Sequence, residues 1–436
     1  MHNGNESRES QKKRLRRQIV PAGTEERSPG RGGRNSGGYG NRYGNGSGTA
    51  GIQPGGRRFL RLIPGVVVFL ALLFFGVGFY LTNRHHDGFE VIWEKKNETA
   101  GDRGESFRGY ESFAKGFLRY TKDGASYVDG NGKTIWERSY QMQNPIAAVN
   151  GDYAVIADQL AQSLYIFSDS ANTGVASTVL PISRVSISQT GVVYAILKDE
   201  KADYITAFKP DGSGIDLSIK SIITGDGYPL DLSVSPDGTE LLTSYVSIEN
   251  SQVVQKVIFR NFDEVGKAAD GRRVVGGFTE EFEGHLVGRV HFSSNEYSQA
   301  FYDGGIAFFS TKVLTSPELI SQVTFEEEIA SIACSEKYVA VVLSTNSGEE
   351  PYRLELYKAN GSKLAEASFS FPYTKFAIEG SQVLLYNESD CRIYNLQGRE
   401  ILSAAFPGPV SAVTKAGLPG QYLLFGSEGL MKVRLQ

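Results

Sequence analysis

The chain has 436 residues, 40% hydrophobic and 22% charged, with two cysteines and a formal net charge of −4. Two cysteines exclude a disulfide-built scaffold, and the length exceeds what one small β-sandwich holds. The charge is unevenly split: residues 1–61 carry 13 Lys/Arg against four Glu, a net of +9, which leaves −13 on residues 82–436.

Residues 1–58 have almost nothing to bury, with Leu15, Ile19, Val20 and Ile52 the only aliphatics larger than alanine after Met1. Such a segment cannot offset the entropy of ordering, so a disordered, basic, Gly/Arg-rich tail is expected. Lys12-Lys13-Arg14-Leu15-Arg16-Arg17 is a cluster suited to anionic lipid, at about 1 kcal/mol per charge. The stretch from Arg31 through Tyr39 and Tyr43 to Arg58 mixes Arg, Gly and Tyr, as segments that bind single-stranded nucleic acid do. A solvated linker that helps to fix topology accounts for the same composition and is preferred.

Leu62 to Leu81 (LIPGVVVFLALLFFGVGFYL) is 20 residues without a charge. A helix of that length just crosses a hydrocarbon core of about 30 Å. The 61-residue leader and the exit Phe79-Tyr80-Leu81-Thr82-Asn83-Arg84 lack the marks of a cleaved signal peptide. A transmembrane helix is therefore expected over 59–82. Arg57, Arg58 and Arg61 directly precede it, which puts the tail in the cytoplasm and residues 83–436 outside the plasma membrane.

Beyond Thr82, short β-branched and aromatic runs are broken every 8–12 residues by Gly, Asp, Asn or Pro, the pattern of an all-β fold. Strand, glycine turn, strand recurs: ASYVD, Gly130-Asn131-Gly132-Lys133, TIWERSY; LELY, Asn360-Gly361-Ser362-Lys363, LAEASFSF; RIYNL, Gln397-Gly398-Arg399, EILSAAF. Other strand pairs also recur, among them IAAV with YAVIAD, RVSIS with VVYAIL, LDLSVS with ELLTSYV, and KFAIE with VLLY. The apolar second member suits a strand covered on both faces. Units at 106–140, 145–180, 182–220, 229–279, 285–325, 329–370 and 373–406 have the spacing of propeller blades. PVSAVTK, QYLLF and LMKVRLQ supply three further strands, and Phe89 to Lys95 supplies a lone one, so the two ends are expected to share a closing blade. The count is eight blades, or seven if 285–325 is not a unit.

Tyr127-Val128-Asp129-Gly130-Asn131-Gly132-Lys133-Thr134-Ile135-Trp136-Glu137 resembles the D-x-x-G-K-x-x-W repeat of quinoprotein-type (PQQ-like) propellers. The chain also resembles single-pass, membrane-anchored propeller proteins of Gram-positive bacteria. The first resemblance implies the fold over about 350 residues. It does not carry over the dehydrogenase activity, whose vicinal cysteines and tryptophan floor are missing: Cys334 and Cys391 stand 57 apart, and Trp93 and Trp136 fall in the docking-type strand.

Other candidates have simple structural explanations. Cys334 and Cys391 read as buried free thiols. His285 and His291, six apart, would face one side of a continuous strand without a third metal ligand at a recognisable spacing. His85 and His86 adjoin the expected membrane exit. Asp129 to Gly132 and Ser235 to Gly238 fit tight turns better than calcium loops. The tyrosines read as blade packing.

No catalytic, cofactor-binding or metal residue is assigned, and no cofactor is expected. The sequence predicts an all-β propeller at 83–436, tethered by 59–82 to the tail 1–58, acting as a binding or scaffolding module in an envelope-associated complex. Its partner would be a protein or a cell-wall glycan, and nucleic acid or anionic lipid is a lesser candidate for the tail. The alternatives are a glycan-acting hydrolase or lyase with carboxylates in the funnel, and a transmembrane ligand sensor.

Overall fold

Glycine and Asx turns close most hairpins, so each strand pairs with its neighbour in sequence and the sheets grow four strands at a time. The computed structural model describes residues 73, 76, 79, 80, 83–96, 109–171, 173–269, 271–426 and 429–436. The tail at 1–58 lies outside the described residues, as does most of Leu62 to Leu81, where Leu73, Gly76, Phe79 and Tyr80 are helical. Among the described residues no helix is long and apolar enough to cross a membrane.

Eight four-stranded antiparallel sheets form the blades. Blade 1 is Gly109–Phe113, Gly116–Tyr120, Gly124–Asp129 and Thr134–Ser139; blade 2 is Pro145–Asn150, Tyr153–Asp158, Ser163–Ser168 and Thr173–Ser177. Blade 3 is Ile182–Ile187, Val193–Leu197, Ala202–Phe208 and Gly214–Ile222; blade 4 is Tyr228–Val234, Glu240–Glu249, Gln252–Asn261 and Val274–Phe278. Blade 5 is Val287–Ser294, Tyr297–Tyr302, Gly305–Ser310 and Glu318–Thr324; blade 6 is Glu328–Cys334, Tyr338–Ser344, Tyr352–Lys358 and Lys363–Phe369. Blade 7 is Lys375–Glu379, Gln382–Tyr386, Asp390–Asn395 and Glu400–Ala405. Blade 8 is Ala412–Lys415, Gln421–Gly426, Gly429–Leu435 and, outermost, Phe89–Lys96. Eight is therefore the count, and 285–325 is a full blade.

Side chains alternate across a strand, so each blade has two faces to bury. In Tyr153–Asp158, Ala154 and Ile156 pack with Phe113, Trp136 and Phe167 in the seam between blades 1 and 2. Val155 and Ala157 pack with Val193 and Ala195 in the seam between blades 2 and 3. The same division yields eight apolar clusters, one for each seam of the ring. This explains why the second strands read as apolar runs: both of their faces are interior.

Ring closure follows the expectation. Phe89–Lys96 pairs with Gly429–Leu435 from Phe89 opposite Leu435 to Lys96 opposite Gly429, with a bulge between Val91 and Trp93. Phe89 packs into the seam of blades 7 and 8, and Trp93 into the seam of blades 8 and 1. The residues before this strand are docked as well. His86 N–H donates to Ile401 O at 2.8 Å, Asp87 N–H to Gln436 O at 3.0 Å, and Gln436 N–H to Gly88 O at 3.0 Å. Asn395 Nδ2 donates to Asn83 Oδ1 at 3.1 Å. His86 thus bridges to Leu402 of blade 7 and does more than mark a boundary. The chain joins the ring on the face that carries the turns between first and second strands and between third and fourth; we call it the tether face, and its opposite the far face.

Blade 4 departs from the repeat. Its middle strands are ten residues each, and they extend a hairpin whose tip residues Asn250 and Ser251 have φ of 51° and 64°. A short helix, α1 (Glu264–Ala269), interrupts the return to its last strand. Glu240 in this blade is fully buried, with Oε1 lacking a hydrogen bond. Burial, with a smaller contribution from Asp237, pushes its carboxyl up to about 8. A carboxyl raised by folding holds its proton more tightly in the folded chain than in the unfolded one. Its stabilising effect is therefore complete below the ordinary carboxylate range and is lost as pH rises towards 8. We expect this group alone to cost about 3–4 kcal/mol between pH 5 and 8. In Glu240→Gln that share of the pH dependence should vanish in urea titrations at the two pH values, and a parallel pH response in both proteins would refute the assignment.

Candidate functional site

The first strands of the eight blades surround a central lumen of about 1350 Å³, open at the tether face. These strands run from the far face to the tether face, so position along each strand gives depth in the lumen. Where they are apolar they close the seams, and one or two polar positions in most of them look into the lumen. Neighbouring blades also brace one another here. Ser186 Oγ accepts from Val234 N–H at 3.1 Å, Asp231 Oδ2 from Val290 N–H at 2.9 Å, and Ser233 Oγ from Phe292 N–H at 2.9 Å.

Three first-strand carboxylates belong to this wall, Glu111 of blade 1, Asp231 of blade 4 and Glu379 of blade 7, and Asp129, Asp169 and Glu336 line its mouth from the turns. Each of the first-strand three is half-buried and closely surrounded by protein. Desolvation pushes all three up, against the pull of Lys375 and Arg289 at Glu111, and of the Val290 N–H and Arg289 at Asp231. At Glu379 the opposing donors are Ser112, the Lys415 N–H and Thr414, with Ser112 Oγ donating to Oε1 at 2.9 Å. Asp231 stands three blades from each of the others, whereas Glu111 and Glu379 are two blades apart and joined through Ser112, the residue after Glu111.

Arg289 is the hub of the lumen. It is exposed there, and among the described residues its side chain makes no hydrogen bond or ion pair. Its charge is felt by Glu111, which stands on the opposite blade of the ring, by Asp231, by His291 and by Cys334. Lys375 and Lys415 likewise have no carboxylate within ion-pair distance among the described residues. The outer surface differs: Arg434 pairs with Glu90 at 2.6 Å, and Arg353 with Glu327 at 2.6 Å. On the tether face Gln189 Nε2 of blade 3 donates to Glu336 Oε1 of blade 6 at 2.7 Å, a strut between turns three blades apart.

The residues singled out from sequence separate cleanly. His291 lines the lumen, and burial, reinforced by Arg289, pushes it down to about 4, so it is neutral at physiological pH. His285 does not share its strand, which begins only at Val287; its Nδ1 lies 2.8 Å from Asp303 Oδ1. The expectation of two histidines on one strand face fails because the first lies in the preceding loop. Cys334 and Cys391 are free thiols. Cys334 borders the lumen, with its thiol pushed up to about 12 by burial, while Cys391 is buried within the third strand of blade 7. Asp129 closes a turn, its Oδ1 accepting from Asn131 N–H at 2.9 Å and Lys133 N–H at 2.8 Å. Asp237 does the same for Thr239 N–H at 3.0 Å. Trp93 and Trp136 both sit in outermost strands. Among the described residues no group of three or more His, Cys, Asp or Glu could hold a metal ion.

Sequence reasoning missed Glu111, Asp231, Arg289 and Glu379. The available signal was a charge inside an otherwise weakly polar first strand, as in GYESF, YPLDLSV, VGRVHFSS and KFAIE.

Residues 82–435 match the profile of a family of unknown function, DUF5711. The chain belongs to that family. No curated protein matches it. The DUF5711 propeller is similar in structure to Chaetomium thermophilum Sqt1 bound to the N-terminus of ribosomal protein L10, with 12% identity, 75% of this chain and 92% of that one covered, and a TM-score of 0.47. It is also similar to Kuenenia stuttgartiensis hydrazine synthase, at 13% identity, 78% and 99% coverage and a TM-score of 0.40. For the Neurospora crassa Pan2 WD40 domain the values are 10%, 81% and 95%, and 0.38. Likeness at this level carries no functional argument, and the lumen of the DUF5711 propeller has to be read from its own residues.

Proposed function

We propose that the chain is a membrane-anchored, extracytoplasmic propeller that binds a partner through its lumen and tether face, as a scaffolding module of an envelope-associated complex. The observation that carries this reading is the lumen itself: a wide polar space lined by all eight blades, holding Arg289 and Lys415, whose side chains have no ion-pair partner among the described residues. Unpaired charge in a concave, partly desolvated site is characteristic of surfaces that complement a ligand. The anchor rests on Leu62 to Leu81, uncharged and long enough to span. Asn83 to Gly88 is docked on the ring, so the propeller would ride against the bilayer with its lumen mouth on the same side as the tether.

Alkaline carbonate extraction of membranes tests the anchor. The full chain should stay in the pellet, deletion of Leu62 to Leu81 should release it, and protease added outside should reach only the propeller. Release of the full chain by carbonate, or protection of the propeller, would sink the topology. The same membranes incubated with wall glycan should generate no new reducing ends; their appearance would favour the glycan-cleaving alternative and the three first-strand carboxylates as its acids.

A further inference from the structure

From the placement of charge along the lumen we infer that it binds an acidic peptide segment in an extended conformation, with Arg289 as the residue that selects for the carboxylates. This deepens the binding reading above by naming the ligand class.

The cations lie at two depths. Arg289 is the third residue of its eight-residue first strand, in the half towards the far face; Lys415 ends its strand at the tether face. A five-residue strand such as Lys375–Glu379 spans roughly 13 Å, so a single small anion cannot reach both levels. An extended chain with carboxylates several residues apart can. The lumen volume also exceeds the range of about 300–1,000 Å³ usual for small-molecule pockets.

Carboxylates stand at and between these levels: Asp231 accepts from the N–H of Val290, next to Arg289, Glu111 is the middle residue of its strand, and Glu379 ends its strand beside Lys415. A uniformly anionic polymer, such as a polyuronate, would have to set a negative charge against them. A peptide can set amide N–H groups there and keep its carboxylates for Arg289 and Lys415, with Arg289 free to take one bidentately. Among the described residues no exposed Tyr, Phe or Trp ring lines the wall for a sugar to stack on, since Tyr127 and Phe292 are buried in the seams. Residues 82–436 carry a net charge of −13 in total, which disfavours adventitious binding of an acidic peptide elsewhere on the domain. Binding then reports the lumen.

The test uses the full chain in nanodiscs and fluorescein-labelled peptides of about twelve residues, enough to thread the lumen. One alternates Glu with Ser, one Gln with Ser and one Lys with Ser; polygalacturonate serves as a competitor. We expect the Glu peptide to bind at least about tenfold more tightly than the Gln peptide, and Arg289→Ala to remove that preference. Arg289→Lys should restore part of it, and Arg434→Ala, on the outer surface, should change nothing. Equal affinity for the Glu and Gln peptides, or a preference that survives Arg289→Ala in a protein with an unchanged melting curve, overturns the proposal. Stronger binding of the Lys peptide or of polygalacturonate overturns the peptide class while leaving the lumen as a binding site. Because binding is measured in nanodiscs, failure here is separate from failure of the anchor, which the carbonate extraction reads.

Discussion

Replacing Phe89 to Lys96 with a Gly/Ser stretch of equal length should unfold the propeller while leaving the tether intact. Two half-buried aromatics would leave the seams on either side of blade 8, Phe89 from its 5.4 Å stack on Phe406 and Trp93 from the cluster around Phe117 and Leu430. At about 25 cal/mol per Å² and roughly 100 Å² for each, this is about 5 kcal/mol. The ladder opposite Gly429–Leu435 goes with them and leaves that strand as an open edge. A domain typically has about 5–15 kcal/mol in total, so the ring should not survive and the product should aggregate.

A milder change probes the same joint. Gly429 has φ of 147°, and a Cβ there would lie 2.1 Å from Lys95 O, so Gly429→Val cannot keep the Lys96–Gly429 pairing. It should lower stability by about 3 kcal/mol in urea unfolding. Cooperative unfolding of the Gly/Ser variant within about 1 kcal/mol of the parent would show that the ring does not depend on this strand.

The second large effect is Trp136→Ala, expected to cost about 4 kcal/mol. Trp136 is the dock of blade 1 on blade 2. It is 4% exposed, stacks on Phe167 at 4.9 Å and 17°, and meets Phe113 edge-on at 6.3 Å. Its Nε1–H donates to Ser168 O at 3.0 Å, so truncation opens a cavity and removes a buried hydrogen bond together. Trp93, in the equivalent strand of blade 8, is only half-buried, and Trp93→Ala should cost about half as much. Urea midpoints of the two variants provide the check; equal losses would mean that Trp136 packs no better than its counterpart and that the dock is misassigned.

Those two tryptophans also show how far sequence can be read. The strand that carries each was legible from the IWE string and its turn, because hairpins are made by residues a few positions apart. The shared closing blade was legible too, since three strands at one end and one at the other complete one sheet, whereas the count stood at eight or seven until 285–325 proved to be a full blade. The irregular return of blade 4, with its ten-residue strands and helix α1, was not: no periodic signal marks a hairpin that merely grows longer.

By itself, then, the sequence determined the all-β class, the strand order and the shared closing blade, since alternation, turn chemistry and apolar second strands act locally or between neighbours. Only the tertiary structure decided what faces the lumen. Glu111, Asp231, Arg289 and Glu379 lie in four different repeats, and each alone looks like one charge on a half-buried strand. They become a site because the ring brings their strands to one axis, and because the surrounding blades remove the water that would otherwise screen them from one another. The same convergence sends His291 into the lumen and leaves His285 outside it, six residues away in sequence.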